Sequence, residues 1–253
     1  MSSSLASAFL GYVSMGCWIV ATVPQILENW RNKSTDGLAP GFVLIWVAGD
    51  LLNLLGSWWQ HVLRSMIILA AYYVSQDLIL IFQMIHYRNA SQAQKSGDDT
   101  ERDALLPRSR SPSPSATSER TARVTAVLQN TALFVFVLSV GVLGTVLDDR
   151  AGVDEDDVPW NMAAQVMGYG SMVLYLFARV PQILKNRVTH CEGLAAGMFV
   201  LSAIANTTYL ASILAKSLDP EYIRINLSWI IGSGGCVFLD FVVLSQFAAY
   251  ART

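Results

Sequence analysis

Seven stretches of this chain are long and mostly apolar: about Ala6–Glu28, Leu38–Trp59, Val62–Tyr87, Arg123–Leu147, Trp160–Leu184, Gly193–Lys216 and Tyr222–Tyr250. A hydrocarbon layer of roughly 30 Å is crossed by about 20 residues of helix. The pattern therefore predicts seven transmembrane helices and no sheet. No basic residue precedes the first stretch, since the first Lys or Arg is Arg31, so it reads as a retained helix and not as a cleaved signal.

One interval breaks the apolar pattern. Residues 89–121 are rich in Ser, Pro, Arg and Asp, with Ser-Pro-Ser-Pro at 111–114, and bury too little apolar surface to fold, which predicts a disordered linker. Within it, Glu101 stands four positions before Leu105-Leu106. That spacing is the form of an acidic dileucine, whose leucines enter the pocket of a sorting adaptor while the acid pairs with a basic rim.

Composition narrows the class. Only 14% of the 253 residues are charged, against about 25% in soluble domains, and the mean hydropathy is +0.41. A net charge of −2 argues against nucleic acid as a partner. Cys17, Cys191 and Cys236 are far apart and unpaired in motif, so neither a disulfide framework nor a zinc site is indicated. No Walker loop, nucleophile elbow or H-E-x-x-H occurs, and His61, His86 and His190 fall in unrelated segments. The sequence predicts no enzyme, no metal and no cofactor.

Basic residues set the expected orientation, because Lys and Arg are retained on the cytosolic side. With the N-terminus on the far side, twelve lie in cytosolic segments: Arg31, Lys33, Arg88, Lys95, Arg102, Arg108, Arg110, Arg120, Arg123, Lys185, Arg187 and Arg252. The opposite face holds Arg64, Arg150, Lys216 and Arg224, and Arg179 sits inside a helix. The far side also receives an acidic loop from Asp148 to Asp157, read as a solvated connector or a cation-attracting vestibule.

An internal repeat organises the chain. Residues 11–29 align without gaps to residues 168–186 with eleven of nineteen positions identical. Gly37-Leu38 matches Gly193-Leu194, which sets Asp50 opposite Asn206; Asp77 and Gln83, six apart, match Asp240 and Gln246. The duplication spans three helices in each half and leaves the fourth as a connector, so the two halves are parallel and related by an axis along the membrane normal. The organisation is 1–88 (first repeat), 89–121 (linker), 122–148 (connecting helix), 149–159 (acidic loop) and 160–253 (second repeat).

The two Val-Pro-Gln-Ile-Leu segments, 23–27 and 180–184, resemble the paired motifs of the PQ-loop transporter family. Trp46-x-x-Gly49-Asp50-x-x-Asn53 and Arg179-Val-Pro-Gln are most similar to its lysosomal and vacuolar cationic amino acid transporters. The resemblance implies a SWEET-like 3 + 1 + 3 helical bundle in a vacuolar or lysosomal membrane, with a luminal N-terminus and a cytosolic C-terminus. It also implies export of Lys, Arg or His to the cytosol. A sugar or neutral amino acid carrier on the same scaffold, or a membrane nutrient receptor whose linker binds a partner, stands as an alternative.

The residues support a transport reading without the family. A proline inside a helix removes one backbone hydrogen bond and clashes with the preceding turn, so Pro24 and Pro181 are expected bends and hinge candidates. Gln25 and Gln182 are expected either to supply the freed carbonyls with donors or to bridge to a neighbouring helix. An ionised Asp at the bilayer centre costs about 2.5–3.5 kcal/mol, and Asp50, Asp77 and Asp240 all fall well inside predicted helices, where only Arg179 offers an opposite charge in the same zone. Surplus carboxylates suit a cationic ligand or a bound proton.

Trp46, Asp50 and Asn53 recur at i, i+4 and i+7 and share one helix face. Their repeat partners are Ser202, Asn206 and Tyr209. The two stripes are expected to face each other across the axis and enclose a charged head, or alternatively to serve as helix glue and interface anchors. Asp77, Asp240 and Arg179 are assigned to proton or cation coupling or to bundle locking, Asp77 accepting from Tyr72 or Tyr73. Gly232-Ser-Gly-Gly235 reads as a close-packing face.

Overall fold

A computed structural model of the chain describes residues 2–59, 64–98, 131–147 and 161–251, and no strand occurs among them. The helices are α1 (Ser2–Val20), α2 (Val23–Asn32), α3 (Pro40–Trp59), α4 (Arg64–Asp98), α5 (Thr131–Leu147), α6 (Met162–Thr189), α7 (Ala196–Lys216), α8 (Pro220–Ile225) and α9 (Leu227–Tyr250). Three are long and apolar enough to cross a membrane: α1 continued into α2 (Leu5–Asn32), α7 and α9. Pro40–Gly56 and α5 are shorter apolar helices.

Three boundaries differ from the sequence reading. The first stretch is not one helix, because Ala21-Thr22 forms a turn between α1 and α2, with Pro24 in the first turn of α2, where its missing N–H costs nothing. The last stretch divides at Asn226 into α8 and α9. The span ending near Tyr87 runs on as α4 to Asp98, ten residues into the segment read as linker. The sequence Ala-Ser-Gln-Ala-Gln-Lys there has good helix formers and no Gly or Pro before Gly97, so the helix propagates beyond the apolar stretch. The rest of that segment, with Glu101, Leu105 and Leu106, and the acidic loop lie outside the described residues.

The two repeats are not separately packed bundles. The most extensive helix contacts, α1 with α7 and α3 with α6, run between the halves; α7–α9, α6–α9 and α3–α4 follow. Leu38, Phe42, Val43 and Trp46 of the first half share one buried cluster with Met198, Phe199 and Val243 of the second. The contacts are reciprocal: a Cβ on Gly41 would lie 3.2 Å from Pro181, and one on its repeat partner Gly197 would lie 3.3 Å from Pro24. Such i-to-j and i′-to-j′ pairing is the signature of a two-fold relation.

The connector α5 docks on α1 through small residues. Gly16 meets the backbone of Val137, Gly141 meets Val13 and Phe9, and Gly144 meets the ring of Tyr12. In lipid, where apolar burial drives nothing, close backbone approach supplies the attraction. Gly232 and Gly235 on α9 do the same against Met172 and Leu176, as read from the sequence. Gly144→Leu places bulk where even a Cβ would lie 2.4 Å from Tyr12. It is expected to lower the stability of the detergent-solubilised chain by about 1–3 kcal/mol in thermal unfolding, while Gly11→Ala, with 3.9 Å of room, leaves it unchanged.

Candidate functional site

The polar interior divides into a carboxyl cluster in the bundle and an amide cluster at the Pro-Gln end. Asp50 is the eleventh of the twenty residues of α3. Tyr175 Oη, from α6 of the other half, donates to Asp50 Oδ1, and the Trp46 indole and the Asp77 carboxyl reach the same group. Asp77, on α4, is buried, and its Oδ2 has no hydrogen-bond partner. Neither Tyr72 nor Tyr73 fills it. Tyr72 instead donates to the Ile19 carbonyl at 2.6 Å, and Tyr73 packs edge-on to Trp18.

The repeat partner of Asp77 has a different environment. Asp240 is fully buried and bonded to Arg179 Nε at 3.2 Å and to Ser202 Oγ at 2.6 Å. Arg179 also donates to the Tyr175 carbonyl and to Ser202, and its guanidinium lies 4.6 Å from the Trp46 ring centroid. The sequence position equivalent to Arg179 in the first half is Thr22, whose buried hydroxyl is itself unpaired. One half thus neutralises its carboxylate internally, and the other holds two carboxyl groups to which no cation is bonded among the described residues, Arg179 acting on Asp50 only through space.

The expected facing stripes meet at their first positions only. Trp46 and Ser202 both touch Arg179, so Trp46 stacks on an internal cation and is buried, not an anchor at the lipid interface. Asp50 faces Tyr175 rather than Asn206, whose amide turns back to Ser202 on its own helix. Tyr209 packs edge-on to Trp229 of α9. Asn53 is half-buried on α3. Tyr175 escaped the sequence reading, although it stands at the repeat position of Trp18 and one helical turn before Arg179, on the same face.

At the Pro-Gln end each glutamine serves the opposite half. Gln25 donates to the Gly193 carbonyl at 3.1 Å and accepts from Ala195 N at 2.8 Å. Gln182 donates to the Gly37 carbonyl at 2.9 Å and accepts from Ala39 N at 2.7 Å. These bonds take the bridging alternative and leave the freed carbonyl to others. The open turn at Ala21-Thr22 is served from α4, where Tyr72 and Gln76 both donate to Ile19 O. Pro181, by contrast, lies inside an unbroken helix. Among the described residues no group of three His, Cys, Asp or Glu could hold a metal ion.

A family model described as "PQ loop repeat" matches residues 6–66 and 163–222, the intervals that carry the two crossed glutamines. The vacuolar lysine transporter of Saccharomyces cerevisiae is 34% identical over 100% of this chain and 96% of its own length. The chain belongs to the PQ-loop repeat family. The vacuolar histidine transporter of the same yeast is 34% identical over 97% of this chain and 92% of its own. The lysosomal amino acid transporter 1 homolog of Rattus norvegicus is 30% identical over 97% and 82%. Its buried ion pair, Arg179 with Asp240, lies in the second repeat.

That ion pair sets a stability prediction. Removing one partner of a buried pair strands the other charge at a cost of about 3–5 kcal/mol, so Arg179→Met is expected to lower the unfolding midpoint sharply. Arg179→Met combined with Asp240→Leu is expected to recover most of that loss when both variants are followed by thermal unfolding in detergent.

Proposed function

We propose that this chain is a secondary transporter of cationic amino acids, carrying lysine, arginine or histidine from the lumen of a vacuole or lysosome to the cytosol. The observation that carries the reading is the Asp50–Asp77 pair: two buried carboxyl groups side by side, one oxygen unpartnered, where the duplicate site has an arginine. A low-dielectric interior penalises unpaired charge, and a substrate ammonium or guanidinium, or a proton held between the two acids, removes the penalty. The names of the yeast relatives, a lysine and a histidine transporter, agree with a cationic passenger.

In this reading seven spans form the 3 + 1 + 3 arrangement, with the N-terminus luminal and the Pro-Gln end, which bears Lys33, Lys185 and Arg187, cytosolic. Asp50 and Asp77 receive the cation, with Trp46 and Tyr175 as walls and Asn53, Asn206 and Tyr209 at the margins. Arg179 and Asp240 lock the second half. Pro24 and Pro181 serve as the hinges about which the halves rock in alternating access. The dileucine at Glu101, Leu105 and Leu106 directs sorting through an adaptor.

The test is uptake of labelled lysine and arginine into proteoliposomes at imposed potential and pH gradients. The expected result is uptake above empty vesicles, competed by histidine and not by glucose or leucine. Absence of any uptake overturns the reading, and competition by sugar transfers it to another substrate class. Asp50→Asn is expected to reduce lysine uptake at least tenfold while the chain still folds. Deleting residues 99–118 is expected to leave flux intact and to alter only cellular address; loss of flux would favour a receptor role for that segment.

A further inference from the structure

The crossed glutamines are the visible ends of two longer chains of amides. Gln25 also donates to Asn29 Oδ1 at 2.8 Å, Asn29 Nδ2 donates to Gln83 Oε1 at 2.9 Å, and Gln83 Nε2 donates to the Ile26 carbonyl at 3.1 Å. In the second half Gln182 donates to Asn186 at 2.8 Å, Asn186 to Gln246 at 2.8 Å, and Gln246 to the Ile183 carbonyl at 2.9 Å. Each position of one relay is the repeat partner of the same position in the other.

The order of bonds has a mechanical meaning. Both N–H groups of Gln25 are used, one by Asn29 and one by the Gly193 carbonyl, and its oxygen accepts from Ala195. Gln182 is saturated in the same way. An amide with all three directions assigned has one orientation, and that orientation is set by the asparagine one turn later, which is in turn held by a glutamine on α4 or α9. The four inner residues, Gln25, Asn29, Gln182 and Asn186, are all 0% exposed, so no water competes for these bonds.

The loops they hold meet on the axis. A Cβ on Gly37 would lie 2.2 Å from the carbonyl carbon of Gly193, so the backbones of the two equivalent glycines are in direct contact. Gly193 also has φ of +71°, a conformation that side chains with a Cβ resist. Lys185 Nζ adds a bond to the Leu38 carbonyl at 2.9 Å, a contact that Glu28, its repeat partner, cannot donate. Chain and chain seal this end of the bundle.

We propose that the two relays, Gln25–Asn29–Gln83 and Gln182–Asn186–Gln246, form a paired latch that holds this mouth of the bundle shut, with Asn29, Gln83, Asn186 and Gln246 as its positioning residues. Opening the mouth withdraws the 193–195 loop from Gln25 and the 37–39 loop from Gln182, and any shift of α4 or α9 misdirects the corresponding glutamine. Asp77 and Asp240 stand on these same two helices, six residues before Gln83 and Gln246. The latch deepens the alternating-access reading but is measurable without transport.

Cys191 is a built-in reporter. It lies in the turn leading to Gly193 and is 6% exposed, and burial raises its thiol pKa above the ordinary value, so the shut form reacts slowly with a maleimide. Cys17, 1% exposed in the α1 core, reports general loosening. The experiment follows maleimide labelling of the detergent-solubilised full chain in two backgrounds that retain only Cys191 or only Cys17. Gln83→Leu, which strands the Asn29 amide, and Gly37→Ala, which wedges the loops apart without removing any polar group, are each expected to speed Cys191 labelling about tenfold while Cys17 stays slow. Unchanged Cys191 labelling in both variants, or a rise that Cys17 matches, overturns the latch. Neither result depends on whether lysine is carried, so failure of the latch and failure of the transport reading are separate outcomes.

Discussion

Lipid offers no hydrogen-bond partner, and the buried side-chain polar atoms described in this bundle are bonded within the protein except at Thr22 Oγ1, Asp77 Oδ2 and Gln165 Oε1. Duplication gives that requirement a particular solution. Gln25 has no loop of its own half to bind, and neither has Gln182; each satisfies the backbone that introduces the other half's second helix. The same crossing recurs where Tyr175 caps Asp50 and where Lys185 caps the Leu38 carbonyl. The halves are therefore bound by mutual satisfaction as well as by their shared apolar cluster, and separating them at one end exposes a defined set of amide bonds. These amide bonds are directional, which the apolar contacts of the shared cluster are not.

Divergence between the halves places the chemistry. The aspartates at equivalent positions of α4 and α9 have different neighbours: Asp240 is bonded to Arg179, whose repeat position in the first half is Thr22, and Asp77 lies beside Asp50. The repeat positions that differ include Thr22 against Arg179, Trp46 against Ser202 and Asp50 against Asn206, so one carboxylate is bonded to an arginine and the other lies beside a second acid. The Trp46 ring shows the consequence: it stacks on Arg179, so one aromatic wall already holds a guanidinium contributed by the protein. Asp50 lies one helical turn farther along the same helix, with Asp77 reaching it from α4.

Much of this was legible in the sequence. Apolar run lengths marked the helices that are described; the repeat of 11–29 in 168–186 located both glutamines of the Pro-Gln motifs, and the shared spacing of six to Gln83 and Gln246 located Asp77 and Asp240. The asparagines at 29 and 186 are identical within that repeat, and the spacing of Gln83 from Asp77 is reproduced at Gln246, so the relay members could be listed by position. Their wiring could not be read, because which half supplies a partner depends on how α1 crosses α7 and α3 crosses α6. Helix ends were missed for local reasons: good helix formers carry α4 past its apolar limit, and the turn at Ala21-Thr22 has no marker except the proline two residues on. Asn206 and Tyr209 illustrate the limit of face periodicity, since a shared stripe fixes direction only relative to the helix axis, and the rotation of α7 points them to Ser202 and Trp229.

The two prolines make the last step concrete. Both remove a backbone donor, but only Pro24 follows an opened turn. On α4, Tyr72 and Gln76 stand ready to bond the Ile19 carbonyl that the turn exposes. Their repeat partners on α9 are Gly235 and Leu239, which offer no side-chain donor, and Gly235 instead leaves space for Leu176, the partner of Ile19. An opened turn in lipid is tolerable only where donors meet it, so α1–α2 breaks and α6 runs through. The two halves therefore differ at this point: the exposed Ile19 carbonyl of the first is already bonded from α4, whereas α9 carries no side-chain donor at the equivalent positions.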